Sequence, residues 1–242
     1  MAPSDTKVLV LAGGLGTRLR PLTETLPKVL MPALGRPFLE HLLQEVAGQG
    51  FTRLVLSVGV FSDQVEACFG DGGRLGCALE YAREATPLGT GGAVVNALPL
   101  LGDTFLVLNG DTLLEMDLQQ LLHHHEEQQV DVTLTAVHVP DRGRYGALVL
   151  ERGRVVRFEE KHPGAGPGWI NGGVYVMERR LLANPPAAVF SLERDLLPAH
   201  LGHIAAFETR GYFVDMGTHE ALAGLDASLA AYLARKGSAA GS

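Results

Sequence analysis

The sequence predicts an α/β fold, a mostly parallel mixed sheet flanked by helices, and three observations carry that reading. Short, unbroken apolar runs recur through the first half, several of them ending in a glycine-rich or acidic turn. Segments with apolar residues at helical spacing fill the intervals, as crossovers between parallel strands require. In the second half the runs lie closer together and are parted by turns such as ERG at 151–153, which points to mixed or antiparallel strands continuing the same sheet.

Residues 7–12 (KVLVLA) form the first buried strand and run into glycines. Residues 38–48 are a helix, closed before Gly50, a C-terminal stop. A second buried strand covers 53–59 (RLVLSVG), and a short helix covers 62–69 with Ser62 as its N-cap. Strands follow at 79–81 and 104–108 (TFLVL), with a helix over 91–98 between them that leaves a glycine-rich turn. In the second half the β-like runs are 132–139, 147–150, 155–158 and 173–177, and PGAGPG at 163–168 is a loop. Residues 221–234 are apolar at helical spacing and rich in alanine and leucine, so a C-terminal helix is placed over 223–236. The polar tail 237–242 is expected to be disordered.

A chain of 242 residues can bury a full core without staples. Its 46% hydrophobic and 19% charged residues are ordinary for a soluble globular protein. A net charge of −7 without a basic patch argues against a nucleic-acid partner. No run approaches the roughly 18 apolar residues of a membrane span, and the polar start has no signal-peptide pattern, so the cytoplasm is the expected location. Cys68 and Cys77 have neither CxxC spacing nor companion ligands and read as ordinary thiols of a reducing compartment. The run His123, His124, His125, followed by Glu126 and Glu127, reads as a solvated helix end and not as a metal site.

Chemistry concentrates at the carboxyl ends of the strands, where ligands bind in such sheets. The strongest signal is AGGLGTRLRPLT at 12–23, followed by Pro27 and Lys28. Its glycines let backbone N–H groups approach a phosphate, while Arg18 and Lys28 concentrate the positive charge that a polyphosphate needs. Leu19 stands where a dinucleotide turn would have its third glycine, Pro21 and Pro27 interrupt any helix there, and no GxxxxGK[ST] is present. Other signals are weaker alone. The segment 87–93 (PLGTGGA) puts glycines at a helix start, suiting close approach of a base and ribose, with Thr90 as a helix cap the plain alternative. Asp111 in Asn109-Gly110-Asp111 leaves a strand end, placed either as a turn residue or to hold Mg²⁺ beside phosphates.

Taken together, G-G-x-G-T-R-L-x-P-L-T-x-x-x-P-K resembles the signature of the sugar-1-phosphate nucleotidyltransferases, and the likeness extends over about residues 7–220. The resemblance implies a Rossmann-like (GT-A-like) nucleotidyltransferase fold. It also implies a single domain over 1–222, with a nucleotide-binding half at 1–112 and a sugar-binding half at 113–222. The nucleotide would be held by Leu11, Ala12, Gly13, Gly14, Gly16, Thr17, Arg18, Glu84, Gly89, Thr90 and Gly91. The sugar phosphate would fall to Asn109, Tyr145, Gly146, Glu160, Lys161, Asn171 and Gly172. Mg²⁺, the implied cofactor, would sit on Asp111 and Asp215, and Arg18, Lys28 and Asp111 would be catalytic. Phe213 in FVDMGT departs from the tryptophan of the family's pattern.

EATPLGTGGA, RYGAL, FEEK, INGGVY, FSLERDLLP and YFVDMGT most resemble the D-glycero-α-D-manno-heptose 1-phosphate guanylyltransferases. The N-acetylmuramate 1-phosphate uridylyltransferases share the FGDGGRLG style. Mannose-1-phosphate guanylyltransferases and glucose-1-phosphate thymidylyltransferases lie further off by these motifs. The expected partners are a nucleoside triphosphate, with GTP favoured, and a sugar 1-phosphate, bound by a monomer or homodimer and feeding a cell-surface polysaccharide. A non-catalytic sugar-nucleotide sensor and a nicotinamide-dependent enzyme are the readings from other classes. The intact set Arg18, Lys28, Asp111, Lys161 and Asp215 argues against the sensor.

Overall fold

The computed structural model describes residues 2–239. Among these residues thirteen strands occur in chain order: β1 (Val8–Leu11), β2 (Pro32–Ala33), β3 (Arg36–Pro37), β4 (Arg53–Val58), β5 (Ala78–Arg83), β6 (Thr104–Asn109), β7 (Thr112–Leu114), β8 (Val132–Val139), β9 (Ala147–Glu151), β10 (Arg154–Glu159), β11 (Gly168–Glu178), β12 (Ile204–Thr209) and β13 (Phe213–Asp215). The helices are α1 (Phe38–Gly48), α2 (Ser62–Phe69), α3 (Gly89–Ala97), α4 (Leu118–Gln128), α5 (His219–Ala223) and α6 (Leu225–Ala239).

One nine-stranded sheet, ordered β5-β4-β1-β6-β11-β8-β12-β10-β9, forms the centre. Strands β5, β4, β1 and β6 run parallel, and β11 is antiparallel to both β6 and β8. Strand β9 turns back to pair with β11 at Trp169↔Leu148 and Ile170↔Ala147, so the far end of the sheet closes on itself.

The apolar runs are unbroken because both faces of the sheet are covered. Val8 and Val10 enter one core cluster and Leu9 the other; Leu54 and Leu56 separate from Val55 in the same way. That alternation is the period of two of a strand with a core on each side.

Several local expectations change. Phe61, not Ser62, occupies the N-cap of α2, and no side-chain hydrogen bond caps it. Helix α3 begins at Gly89, two residues before Gly91, with Leu88 at the N-cap, so Thr90 is not a cap. Gly224 divides the expected C-terminal helix into α5 and α6, and α6 continues through 237–239, residues expected to be disordered. The remainder of that tail, 240–242, lies outside the described residues. Strand β12 and the β7–β13 pair lie among residues where no strand is expected from the sequence. No helix among the described residues is long and apolar enough to cross a membrane.

The histidine run is not uniformly solvated. His125 is buried: its Nδ1 lies 2.8 Å from Thr133 Oγ1 and its Nε2 3.3 Å from Glu178 Oε1. Burial holds its pKa below the usual 6.5, against the opposing pull of Glu178, and burial also lowers His41 and His124. With a depressed folded-state pKa, the unfolded chain takes up the proton first. The stability these histidines contribute is therefore present above pH 6.5 and is lost as pH falls below it. Urea midpoints at pH 7.5 and 5.5 should show a lower value at pH 5.5 and a smaller drop in His125→Gln. Equal drops in the two proteins would exclude His125 as a source.

Candidate active site

Strands β1 and β6 are neighbours in parallel register, with Leu11 opposite Asn109. Both end at one edge of the sheet, and the Gly110 N–H donates to the Leu11 carbonyl at 3.0 Å. A side chain at Gly110 would put its Cβ 2.7 Å from that carbonyl oxygen, so the two strand ends approach as only glycine permits.

The loop after β1 curls back over this edge. Gly16 is left-handed (φ 58°), and Thr23 Oγ1 donates to its carbonyl at 2.8 Å, fastening the loop. The return brings Lys28 against Asp111, and the two form an ion pair. Arg18 stays exposed.

Asp215 reaches the same place because β13 pairs antiparallel with β7, which sets Asp215 opposite Thr112. Its Oδ1 accepts from the Gly217 N–H at 2.8 Å, and Tyr145 Oη donates to Oδ2 at 3.4 Å. Arg144 stands 3.9 Å from that oxygen. Burial raises the Asp215 pKa, and the negative charge of Asp111 raises it further; Lys28, the Gly217 amide and Arg144 pull the other way. Burial, and next the Asp215 charge, push the Tyr145 phenol up to about 12. The charges of Asp111 and Asp215 thus repel each other, with Lys28 and Arg144 offsetting part of that repulsion.

Two clefts meet at this edge. One, of about 410 Å³, is lined by Leu11, Ala12, Gly14, Gly16, Thr17, Arg18, Lys28 and Thr90. The other, of about 440 Å³, is lined by Tyr145, Gly146, Glu160, Lys161, Asn171 and Asp215. Arg18, Asn109, Asp111, Glu193 and Gly217 line both, so the clefts form one trough with Asp111 at its junction.

Five glycine and acidic positions do not line either cleft, for reasons of packing. Glu84 Oε1 accepts from Ser57 Oγ at 2.9 Å and Oε2 from the Leu88 N–H at 3.1 Å; it braces the loop from behind. Gly13 lies against it, since a Cβ there would stand 2.6 Å from Glu84 Oε1. The glycines of 87–93 accommodate protein and not an open cleft: a Cβ on Gly89 would fall 2.4 Å from the Phe190 carbonyl oxygen, and one on Gly91 would fall 2.0 Å from the Phe190 ring. Gly172 is pinched between Val137 and Leu114. Glu193 lines both clefts although the motifs assign it no role; the available signal was the charged run Glu193, Arg194 and Asp195 set between the buried Leu192 and Leu196.

Residues 7–231 match the model of the nucleotidyl transferase family. The chain is 42% identical over 227 residues to mannose-1-phosphate guanylyltransferase of Mycobacterium tuberculosis, covering 91% of this chain and 63% of that protein. It thus spans less than two thirds of that relative's length. It is 33% identical over 215 residues to D-glycero-α-D-manno-heptose 1-phosphate guanylyltransferase of Aneurinibacillus thermoaerophilus, covering 87% of this chain and 93% of that one. The motifs alone put the mannose branch further off than the heptose branch, and these identities run in the opposite order. Among solved structures, HddC from Yersinia pseudotuberculosis, complexed with GMP-PN, superposes with a TM-score of 0.84 at 32% identity, over 93% of this chain and 99% of that one. By its sequence over 7–231 and by the fold it shares with HddC, this chain belongs to the nucleotidyl transferase family.

Proposed function

We propose that the protein is a guanylyltransferase joining GTP to a manno-configured sugar 1-phosphate, giving a GDP-sugar and pyrophosphate. The observation that carries this is the shared trough: a glycine-rich, cationic cleft and a polar cleft meet at Asp111, with Asp215 on the polar side. D-glycero-α-D-manno-heptose 1-phosphate is the sugar favoured by the motifs and by the 33% identity to the Aneurinibacillus enzyme. Mannose 1-phosphate is the second reading, favoured by the 42% identity to the mycobacterial enzyme. A biosynthetic role in the cytoplasm fits both.

A sugar phosphate is already an anionic nucleophile at neutral pH, so no general base is needed and catalysis reduces to positioning and charge stabilisation. One of its oxygens attacks the α-phosphorus in line, and pyrophosphate leaves from the opposite side. Arg18 lies at the junction and accommodates the charge growing on the leaving group, and Lys28 adds to it from the floor. Lys161 is exposed beside the sugar-side cleft and orients the attacking phosphate.

The donor set at Asp111 and Asp215 fits Mg²⁺. Its charged donors are carboxylate oxygens, and Mg²⁺ characteristically takes one or two carboxylates with the remainder from phosphates and water. When bound, Mg²⁺ supplies positive charge against the phosphate oxygens.

Pyrophosphate release with a panel of nucleoside triphosphates, each offered with heptose-, mannose-, glucose- and N-acetylmuramate 1-phosphate, tests the assignment. Release confined to GTP and a manno-configured sugar is expected. Release with UTP or dTTP and another sugar would reject the guanylyl assignment. Nucleotide binding without release would reassign the protein as a sugar-nucleotide sensor. Within this reaction Arg18→Ala should lower kcat by about 10²-fold, the scale of a lost electrostatic donor, with Arg18→Lys recovering part of it. A near-normal kcat in the alanine variant would remove Arg18 from the mechanism.

A further inference from the structure

Glu193 carries a hydrogen-bond network that runs from one cleft to the other. Its Oε2 accepts from Thr90 Oγ1 at 2.9 Å and from Ser191 Oγ at 2.8 Å, and its Oε1 accepts from Tyr175 Oη at 3.2 Å. Tyr175, fully buried in β11, accepts in turn from Asn171 Nδ2 at 2.7 Å. Thr90 Oγ1 also accepts from the Leu192 N–H at 2.8 Å, and Asn171 Oδ1 accepts from the Gly173 N–H at 3.0 Å. Every hydroxyl proton in the chain Thr90–Glu193–Tyr175 is thereby directed at the one carboxylate. Thr90 lines the nucleotide-side cleft and Asn171 the sugar-side cleft.

The local turn has bonds besides those to this carboxylate. The turn Leu192–Leu196 is capped by Ser191 Oγ, which accepts from the Arg194 N–H at 3.3 Å. Asp195 Oδ2 accepts from the Ser191 N–H at 2.6 Å, closing the turn from its other side. Beyond Ser191, Glu193 reaches Thr90 in α3 and Tyr175 in β11, each carrying one wall of the trough. Hydrogen bonds to a charged acceptor in a partly buried site are about twice as strong as neutral ones, and linked bonds reinforce one another.

We propose that Glu193 is a positioning residue, holding Thr90 on the nucleotide side and Asn171 on the sugar side in one network so that the two substrates are kept in mutual register. This rests on the two-substrate reading above. Four full-length variants test it: Glu193→Ala, Glu193→Gln, Tyr175→Phe and Thr90→Ala. They are assayed by pyrophosphate release with the pair that the panel identifies, alongside thermal melts. Glu193→Ala is expected to raise KM for both substrates by roughly tenfold or more, the scale of lost bonds to a charged group. Tyr175→Phe should raise the sugar-phosphate KM alone, Thr90→Ala the nucleotide KM alone, and Glu193→Gln should recover part of both. A lowered melting temperature with both KM values unchanged would overturn the proposal in favour of a structural role, as would a shift in only one KM for Glu193→Ala. If the wild type turns over no pair, the transferase reading fails separately, and calorimetric titration with GTP then decides. Weaker GTP binding by Glu193→Ala than by the wild type upholds the nucleotide arm; equal or absent binding in both overturns it.

Discussion

Replacing Asp111 with alanine is expected to lower kcat for pyrophosphate release by about 10²-fold or more, the cost of removing a preorganised charge at the reacting centre. Asp111 stands at the junction of the two clefts, immediately after the strand whose end pairs with Leu11. Its side chain is 32% exposed, so its loss opens no core cavity. Two electrostatic consequences oppose each other in the folded state. Lys28, only 11% exposed, loses its partner, while Asp215 loses the negative charge that helps to raise its pKa. The melting temperature should therefore move little while turnover falls steeply. Asp111→Asn, which keeps the shape and removes the charge, should fall nearly as far. Turnover within a few fold of wild type in either variant would remove Asp111 from the reaction.

Gly91→Ala is expected to destabilise the fold by about 1–3 kcal/mol, the usual cost of forcing an extra methyl into packed surroundings. The new Cβ would stand 2.0 and 2.3 Å from Cε2 and Cδ2 of the Phe190 ring, which is only 4% exposed. Phe190 cannot yield freely, because its carbonyl accepts the Gly91 N–H at 2.9 Å and its own N–H donates to the Leu88 carbonyl at 3.0 Å. Displacing it would carry along Glu193, three residues further on. A lower urea midpoint should thus come with reduced kcat/KM at temperatures where the variant remains folded. An unchanged midpoint would show that segment 188–190 moves aside without cost. A stability loss with normal kinetics would separate this packing from Glu193.

In the first half, β1, β4 and β6 were legible because they are buried on both faces, which writes them as solid apolar runs. The helix at 38–48 was legible from its spacing and its glycine stop, and its bounds are those of α1. Less could be read in the second half. Strand β12 (IAAFET) follows a turn at Gly202 but has two alanines and a polar end in place of a solid apolar run, and β7 and β13 have only three residues each, so neither of that pair supplies a period to count. Thr90 looked like a cap because hydroxyls near a helix start usually are. Its actual partners, Glu193 and the Leu192 amide, are more than a hundred residues away in the chain.

By itself the sequence determined the class of chemistry. Three glycines with Arg18 and Lys28 after a buried strand, and aspartates after Gly110 and Val214, carry that reading, because backbone amides and cations suit phosphate and carboxylates suit the metal that would accompany it. Only the tertiary structure decided which of them share a cleft. Pairing of β7 with β13 is what brings Asp215 to Asp111, and packing of Phe190 on α3 is what claims Gly89 and Gly91. Glycine is required equally where a ligand approaches the backbone and where another segment of the chain does, so the sequence is the same in both cases. The difference lies in what occupies the space, and that is set by contacts between residues far apart in the chain.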